Sequence, residues 1–241
     1  MISDKHFHVE VCPLGSSPSP EASIWDFQHF SVSEGGVNFN LPKDPSKAVI
    51  KHQLKVQHWS VLNGAFVKLR CFGYPHNTIA QMTRHRDSTF LVQSFRYTGQ
   101  RIVEACKTGE VSDEDAESII YLRPVGTYKD RNSPSYEYTE GKRMRDLKIV
   151  KYLLLIYAEN VKEGMPYEQA RGLLPYDYRQ DFSMTGTLQD VYHWLDQRTK
   201  KDAQLEVQTF AAQALNVLKQ WSPNLMEWYE LNRATKANLA P

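Results

Sequence analysis

Residues 146–166, DLKIVKYLLLIYAENVKEGMP, constrain the fold more than any other stretch. Leu147, Val150, Leu154 and Val161 lie on one stripe at helical spacing, and Gly164 and Pro166 close the segment. Such a helix must bury its stripe. Strands early in the chain and helices later suggest where, in a single α+β domain. HFHVEVC near the start alternates Phe7, Val9 and Val11 with polar or small residues, the pattern of a half-buried strand. AFVKLRCF does the same with Val67, Leu69 and Cys71 against Lys68 and Arg70.

Between these strands, PLGSSPSPEAS reads as a turn-rich loop, and 45–57 as a modest amphipathic helix with Val49, Leu54 and Val56. Gly73 and Pro75 are expected to stop the second strand, and PHNTIAQMTRHRD to form a short helix from that proline. Ser112 is a candidate N-cap for SDEDAESII, whose acids complement the helix dipole. Residues 123–145, with their tyrosines, basic residues, Gly and Pro, read as an exposed loop or flap. YEQARGLLP predicts a short helix. From Thr187 to Trp221, Leu188, Val191, Leu195, Phe210, Ala214 and Leu218 keep helical spacing, interrupted near TKKD. No internal repeat, low-complexity tract or domain boundary is visible.

A length of 241 residues suffices for a sizeable core without disulfides or metal. The sequence contains no apolar run long enough to span a bilayer and no charged-then-apolar leader at Met1, so a cytoplasmic location is expected. The net charge of +1 offers no global field for nucleic acid or membrane, so an anion site must be a local arrangement of arginines for a small ligand. Cys12, Cys71 and Cys106 are widely spaced with no CxxC pair, and the histidines are scattered, so no metal is expected.

The run RHRDSTFLVQSFRY, residues 84–97, gathers Arg84, His85, Arg86, Ser94, Arg96 and Tyr97 around an apolar centre. Arg171 beside GLLP and Arg198 after VYHWLDQ are further arginines next to apolar walls. A guanidinium fork in such a setting suits a phosphate or the edge of a planar ring, although ion-pair and surface roles are also common.

RHR followed after seven positions by serine resembles the signature of the flavin-dependent thymidylate synthases. The resemblance continues in HWSVLNGAFVKLRCFGYPHNTIAQMTRHR, with His58, Ser60 and Gln81 in register, and in ARGLLP and HWLDQRTKKDAQLEVQ, covering about 55–225. It implies an antiparallel sheet packed against helices, one catalytic domain over 1–241, and a homotetramer with shared sites. It also implies conversion of dUMP to dTMP, with methylenetetrahydrofolate as carbon donor and NADPH-reduced FAD as hydride donor. Carried over residue by residue, dUMP falls to Gln81, Arg84, Ser94, Phe95, Arg96, Arg171 and Arg198, and Arg198 is the catalytic residue that helps ionise the uracil. FAD falls to His58, Ser60, Arg84, His85, Arg86, Val92, Thr187, Gln189 and His193. Ser94 is expected to bind phosphate rather than act as a nucleophile, since Gln93 and Phe95 offer no general base. The flavin route also needs no cysteine thiolate, and none of the three cysteines has a sequence setting that would lower its pKa.

The chain departs from the family pattern at Leu91 and Val92, usually a polar pair, at Asn63, usually glutamate, and at Gln189, usually arginine; Thr89 keeps a hydroxyl. Each lost charged hydrogen bond would cost about 1–3 kcal/mol. Two other readings stand beside the enzyme: a flavin- or nucleotide-binding relic without turnover, marked by Leu91 and Val92, and a nucleic-acid binder using 123–145. Joint retention of Gln81, Arg84, Ser94, Arg96, Arg171 and Arg198 favours the enzyme.

Overall fold

The computed structural model describes residues 2–12, 19–32, 42–129 and 134–234. In chain order they form β1 (His8–Val11), α1 (Pro20–Val32), α2 (Pro45–His52), β2 (Phe66–Pro75), α3 (His76–Met82), β3 (Thr89–Val92), α4 (Phe95–Thr98), α5 (Gln100–Ala105) and α6 (Asp113–Ile119). These are followed by β4 (Gly126–Tyr128), β5 (Tyr136–Tyr138), α7 (Glu140–Lys162), α8 (Tyr167–Ala170), β6 (Arg179–Thr187), α9 (Leu188–Arg198), α10 (Leu205–Trp221) and α11 (Pro223–Asn232). The class is α+β, as expected, with an antiparallel sheet in the order β1-β2-β6-β3. The chain groups into two compact units. The first is Met1–His8, Phe72–Met82 and Leu91–Phe182; the second is Val9–Cys71, Thr83–Phe90 and Ser183–Pro241. Each unit is discontinuous in sequence, which is why no linker betrayed the division.

In the first unit, α7 buries Leu147, Val150, Leu154 and Tyr157 in a cluster with Phe95, Ile102 and Ile119, while Val161 packs against its margin. The helix ends where Gly164 takes φ 105° and its amide donates to the Val161 carbonyl at 3.0 Å. β2 does not stop at Gly73. That residue adopts φ 70°, donates its amide to Asp181 Oδ1 at 2.9 Å, and would place a Cβ 2.3 Å from the His6 carbonyl oxygen. The strand runs on through that residue and ends at Pro75, which has no N–H to donate. Arg179, 3% exposed, anchors this region by donating to the Asp4 carboxylate at 3.1 and 2.8 Å and to the Glu117 and Gly73 carbonyls.

Residues 123–145 are not one loop. β4 and β5 pair antiparallel with Gly126 opposite Tyr138, and Lys142, Arg143, Met144 and Arg145 belong to the first turns of α7 rather than to the flap. Thr139 caps that helix, accepting the Lys142 amide at 3.4 Å, and Tyr138 turns inward to bond Asp146 at 2.9 Å. Ser112 caps α6 as expected, its hydroxyl accepting the Asp115 amide at 3.0 Å.

In the second unit, Val67, Leu69 and Cys71 are buried while Arg70 faces solvent beside Glu10, the alternation read from the sequence. The expected helix at 45–57 ends at His52; Leu54–Val56 is a separate helical turn, with Leu54 buried and Val56 exposed. The loop expected at 13–23 holds only in part: residues 13–18 lie outside the described ones, and Pro20 starts α1. Leu188, Val191 and Leu195 of α9 and Phe210, Ala214 and Leu218 of α10 are buried, as their spacing predicted, with the Trp194 and Phe210 rings 5.6 Å apart, and α11 adds Leu225, Met226 and Tyr229.

Candidate active site

The basic triplet sits in the turn between α3 and β3. A Ser88 amide donated to the His85 carbonyl at 3.2 Å tightens that turn, exposing Arg84 and Arg86 and burying the imidazole between them. His85 is 8% exposed, and its Nε2 accepts a hydrogen bond of 2.8 Å from Nε of Arg198 at the end of α9. His193, one turn earlier on α9, meets His85 edge-on at 6.3 Å between ring centroids and engages Gln197 at 2.9 Å. Burial first, then the charge of Arg198 and the neighbouring His193, pushes the His85 pKa down to about 4. The imidazole is therefore neutral at pH 7, and an accepting Nε2 assigns its proton to Nδ1. Burial and the nearby Arg84 lower the Arg198 pKa as well, yet a guanidinium stays charged.

The other residues expected to hold the cofactor lie mostly in the same unit. His58 and Ser60 are exposed at the start of the helical turn Trp59–Gly64, and His58 Nδ1 lies 3.2 Å from Gln53 Oε1. Thr187 caps α9 in a reciprocal box with Asp190, and its hydroxyl donates to Asn63 Oδ1 at 2.9 Å. Asn63 thus has a task of its own where the family pattern has glutamate. Gln189 Oε1 and Ser88 Oγ are buried with no hydrogen-bond partner among the described residues. Gly186 lies beside the second: a Cβ there would stand 3.0 Å from Ser88 Oγ and 3.1 Å from Asp190 Oδ2. Buried polar atoms without partners are costly, so these segments suit a ligand that carries hydroxyl and N–H groups, as FAD does. Ser88 was missed in the sequence, because nothing in the motif distinguishes its hydroxyl from that of an exposed serine. Val92 is the exception among the cofactor positions, half-buried on β3 in the first unit.

The first unit carries most of the expected nucleotide ligands: Gln81 on α3, Ser94, Phe95 and Arg96 around the start of α4, and Arg171 just after α8. Ser94 Oγ accepts the Arg96 amide at 3.3 Å; among the described residues, no imidazole or carboxylate holds it as a base would. Phe95 is fully buried, its ring packed edge-on against Tyr178 at 4.6 Å, so only its backbone can reach a ligand. Arg96 Nε pairs with Glu168 of α8 at 2.7 Å. Arg171 bears electrostatically on Tyr157 and Tyr178, opposing the burial that raises both phenols. Arg84 and Arg198, the remaining nucleotide positions, belong to the second unit.

All three cysteines are buried and free. Burial pushes the Cys106 thiol up to about 11, and its Sγ lies 3.5 Å from the Leu154 carbonyl, the opposite of what an attacking thiolate needs. Among the described residues, no group of three or more His, Cys, Asp and Glu could hold a metal ion, and no helix is long and apolar enough to cross a membrane.

Residues 14–224 match the family model described as thymidylate synthase complementing protein. The chain belongs to this family. Its curated relatives bear the name expected from the RHR run. It is 27% identical over 236 residues to the flavin-dependent thymidylate synthase of Haloarcula marismortui, covering 96% of this chain and 94% of that one. It is 29% identical over 177 residues to the Halobacterium salinarum protein of the same name, covering 70% and 69%. The family fold is matched by thymidylate synthase X from Helicobacter pylori, solved with FAD and dUMP, at TM-score 0.65 and 16% identity over 96% of this chain and 100% of that one. It is matched too by the UMP/dUMP methylase PolB from Streptomyces cacaoi, bound with 5-Br dUMP, at TM-score 0.70 and 18% identity over 95% and 96%.

Proposed function

We propose that this member of the flavin-dependent thymidylate synthase family converts dUMP to dTMP as a single catalytic domain, taking carbon from methylenetetrahydrofolate and hydride from FAD reduced by NADPH. The observation that carries this reading is the paired Arg198 and His85, with Arg84 close enough to lower the Arg198 pKa. A fixed, half-buried cation of this kind draws negative charge onto a pyrimidine ring and so makes C5 nucleophilic, with no thiolate required. Ser94, Arg96, Arg171 and Gln81 hold the phosphate, and Arg96 can do so through its terminal nitrogens because Glu168 takes its Nε. His58, Ser60, Arg86, Thr187, Gln189 and His193, together with Ser88, hold the flavin. When bound, that group supplies the redox chemistry, while the chain orients and desolvates the reactants. The reading includes a cytoplasmic homotetramer with shared sites.

The relic reading gains nothing from the geometry: Leu91 is 76% exposed, so its departure from the family pattern leaves no cavity and no buried polar group unsatisfied. The deciding experiment is tritium release from 5-tritiated dUMP, and in parallel from 5-tritiated UMP, with methylenetetrahydrofolate, FAD and NADPH. We expect release from dUMP and a loss of at least 100-fold in Arg198→Ala, the size of effect that removing one preorganised charge donor has on a transition state. A protein that holds FAD but releases no tritium from either nucleotide would be the relic.

A further inference from the structure

We infer that His85 is a positioning residue for Arg198: its neutral imidazole takes the guanidinium Nε and so sets the plane in which the arginine meets the pyrimidine. This rests on the role given to Arg198 above. An arginine at the last residue of a helix has several free torsions, and a bidentate donor is useful only when its plane is fixed. The 2.8 Å bond from Arg198 Nε to His85 Nε2 supplies that constraint. The acceptor is itself immobilised. His85 is buried, its own carbonyl is tied to the Ser88 amide at 3.2 Å, and His193 braces the ring edge-on from α9 while engaging Gln197. Burial, and after it the charge of Arg198 and the neighbouring His193, disfavours a positive charge on the ring, so it remains an acceptor throughout the neutral range. The middle residue of the basic triplet therefore acts on the substrate through another side chain, whatever it also does for the flavin.

The test is a double-mutant cycle read as dUMP affinity of the FAD-loaded protein, followed by the change in the flavin absorption spectrum. His85→Gln can place an amide oxygen near the Nε2 position, whereas His85→Asn is too short to reach it. We expect His85→Asn to weaken dUMP about tenfold, His85→Gln to stay within about threefold of the natural protein, and His85→Asn to add less than twofold once Arg198→Ala is present. Equal losses from His85→Asn in both backgrounds, or a His85→Gln as damaged as His85→Asn, would overturn the inference. A second readout is independent of ligand and turnover. Nitrogen-15 NMR of the histidine side chains should show His85 protonated on Nδ1 from pH 6 to 8, with the Nε2 signal shifting in Arg198→Ala. A ring protonated on Nε2 would overturn the contact itself. Failure of the functional proposal would look different, as a natural protein that binds no dUMP while its His85 tautomer is as described.

Discussion

The expected site residues were legible in the sequence as a motif, but their pairings were not. Arg84, His85, Arg86, Ser94 and Arg96 stand within one short run, so the density of donors can be seen by eye. The hydrogen-bond partner of His85 is 113 positions away, and that of Asn63 is 124 away, distances no local pattern can bridge. The His85 environment also makes a thermodynamic claim. Its pKa is depressed to about 4, so between about pH 6.5 and 4 the unfolded chain binds a proton that the folded chain refuses. Stability from this group is fully present above pH 6.5 and is lost as pH falls through that window. His6, lowered by burial and by Arg179, acts in the same direction. We expect the His85 contribution to be about 1–2 kcal/mol after discounting for solvent. Urea unfolding at pH 7.5 and 5 should show a smaller loss of stability on acidification in His85→Gln than in the natural protein; an equal loss would mean that the proton is taken up elsewhere.

At the scale of elements, what was read correctly had a strong period of its own. The α7 stripe, the α9 and α10 positions and the alternation in β2 all survive folding because each buries one continuous face. β6, β3 and α1 were missed, although β1, α3, α6 and α8, all shorter than β6, were read. In β6 the alternation of Gln180, Phe182 and Met184, all buried, was present but is interrupted by polar neighbours, and β3 is only four residues long. α1 was hidden by its prolines, although Ser19 accepts the Ala22 amide at 3.1 Å as an N-cap should, with Pro20 in the first turn. Capping also links an element to the site, since Thr187 both starts α9 and reaches Asn63. Thr187→Ala removes the cap and strands the Asn63 acceptor, and we expect a loss of about 1–2 kcal/mol. Thr187→Ser, which keeps the hydroxyl, should lose less than half of that. Thermal unfolding of the flavin-free protein checks both, and equal losses in the two variants would locate the effect in the threonine methyl rather than in the cap.

For the whole molecule, the two compact units divide the expected ligand positions unequally. The second unit holds His58, Ser60, the basic triplet, Thr187, Gln189 and His193, while Gln81, Ser94, Arg96 and Arg171 belong to the first. A ligand stabilises the native form it binds, by about 2.7 kcal/mol at a hundred times its Kd, and slows hydrogen exchange wherever opening would release it. FAD alone should therefore slow amide exchange in 58–64, 84–88 and 187–198 while leaving 94–98 and 167–174 unchanged. Adding dUMP should then slow exchange in those last two segments, and also at the end of α9 around Arg198. Because exchange is read segment by segment, the result holds whichever chain of an oligomer completes each site. Val92 is the sharpest single probe, as the one flavin position that falls in the first unit. Protection of 89–92 by FAD would support that carry-over from the family, and protection appearing there only with dUMP would reassign Val92 to the nucleotide. If FAD instead protected 94–98 and 167–174 and left 187–198 unaffected, the orphaned Ser88 and Gln189 oxygens would have some other partner, and the assignment of the flavin to the second unit would be wrong.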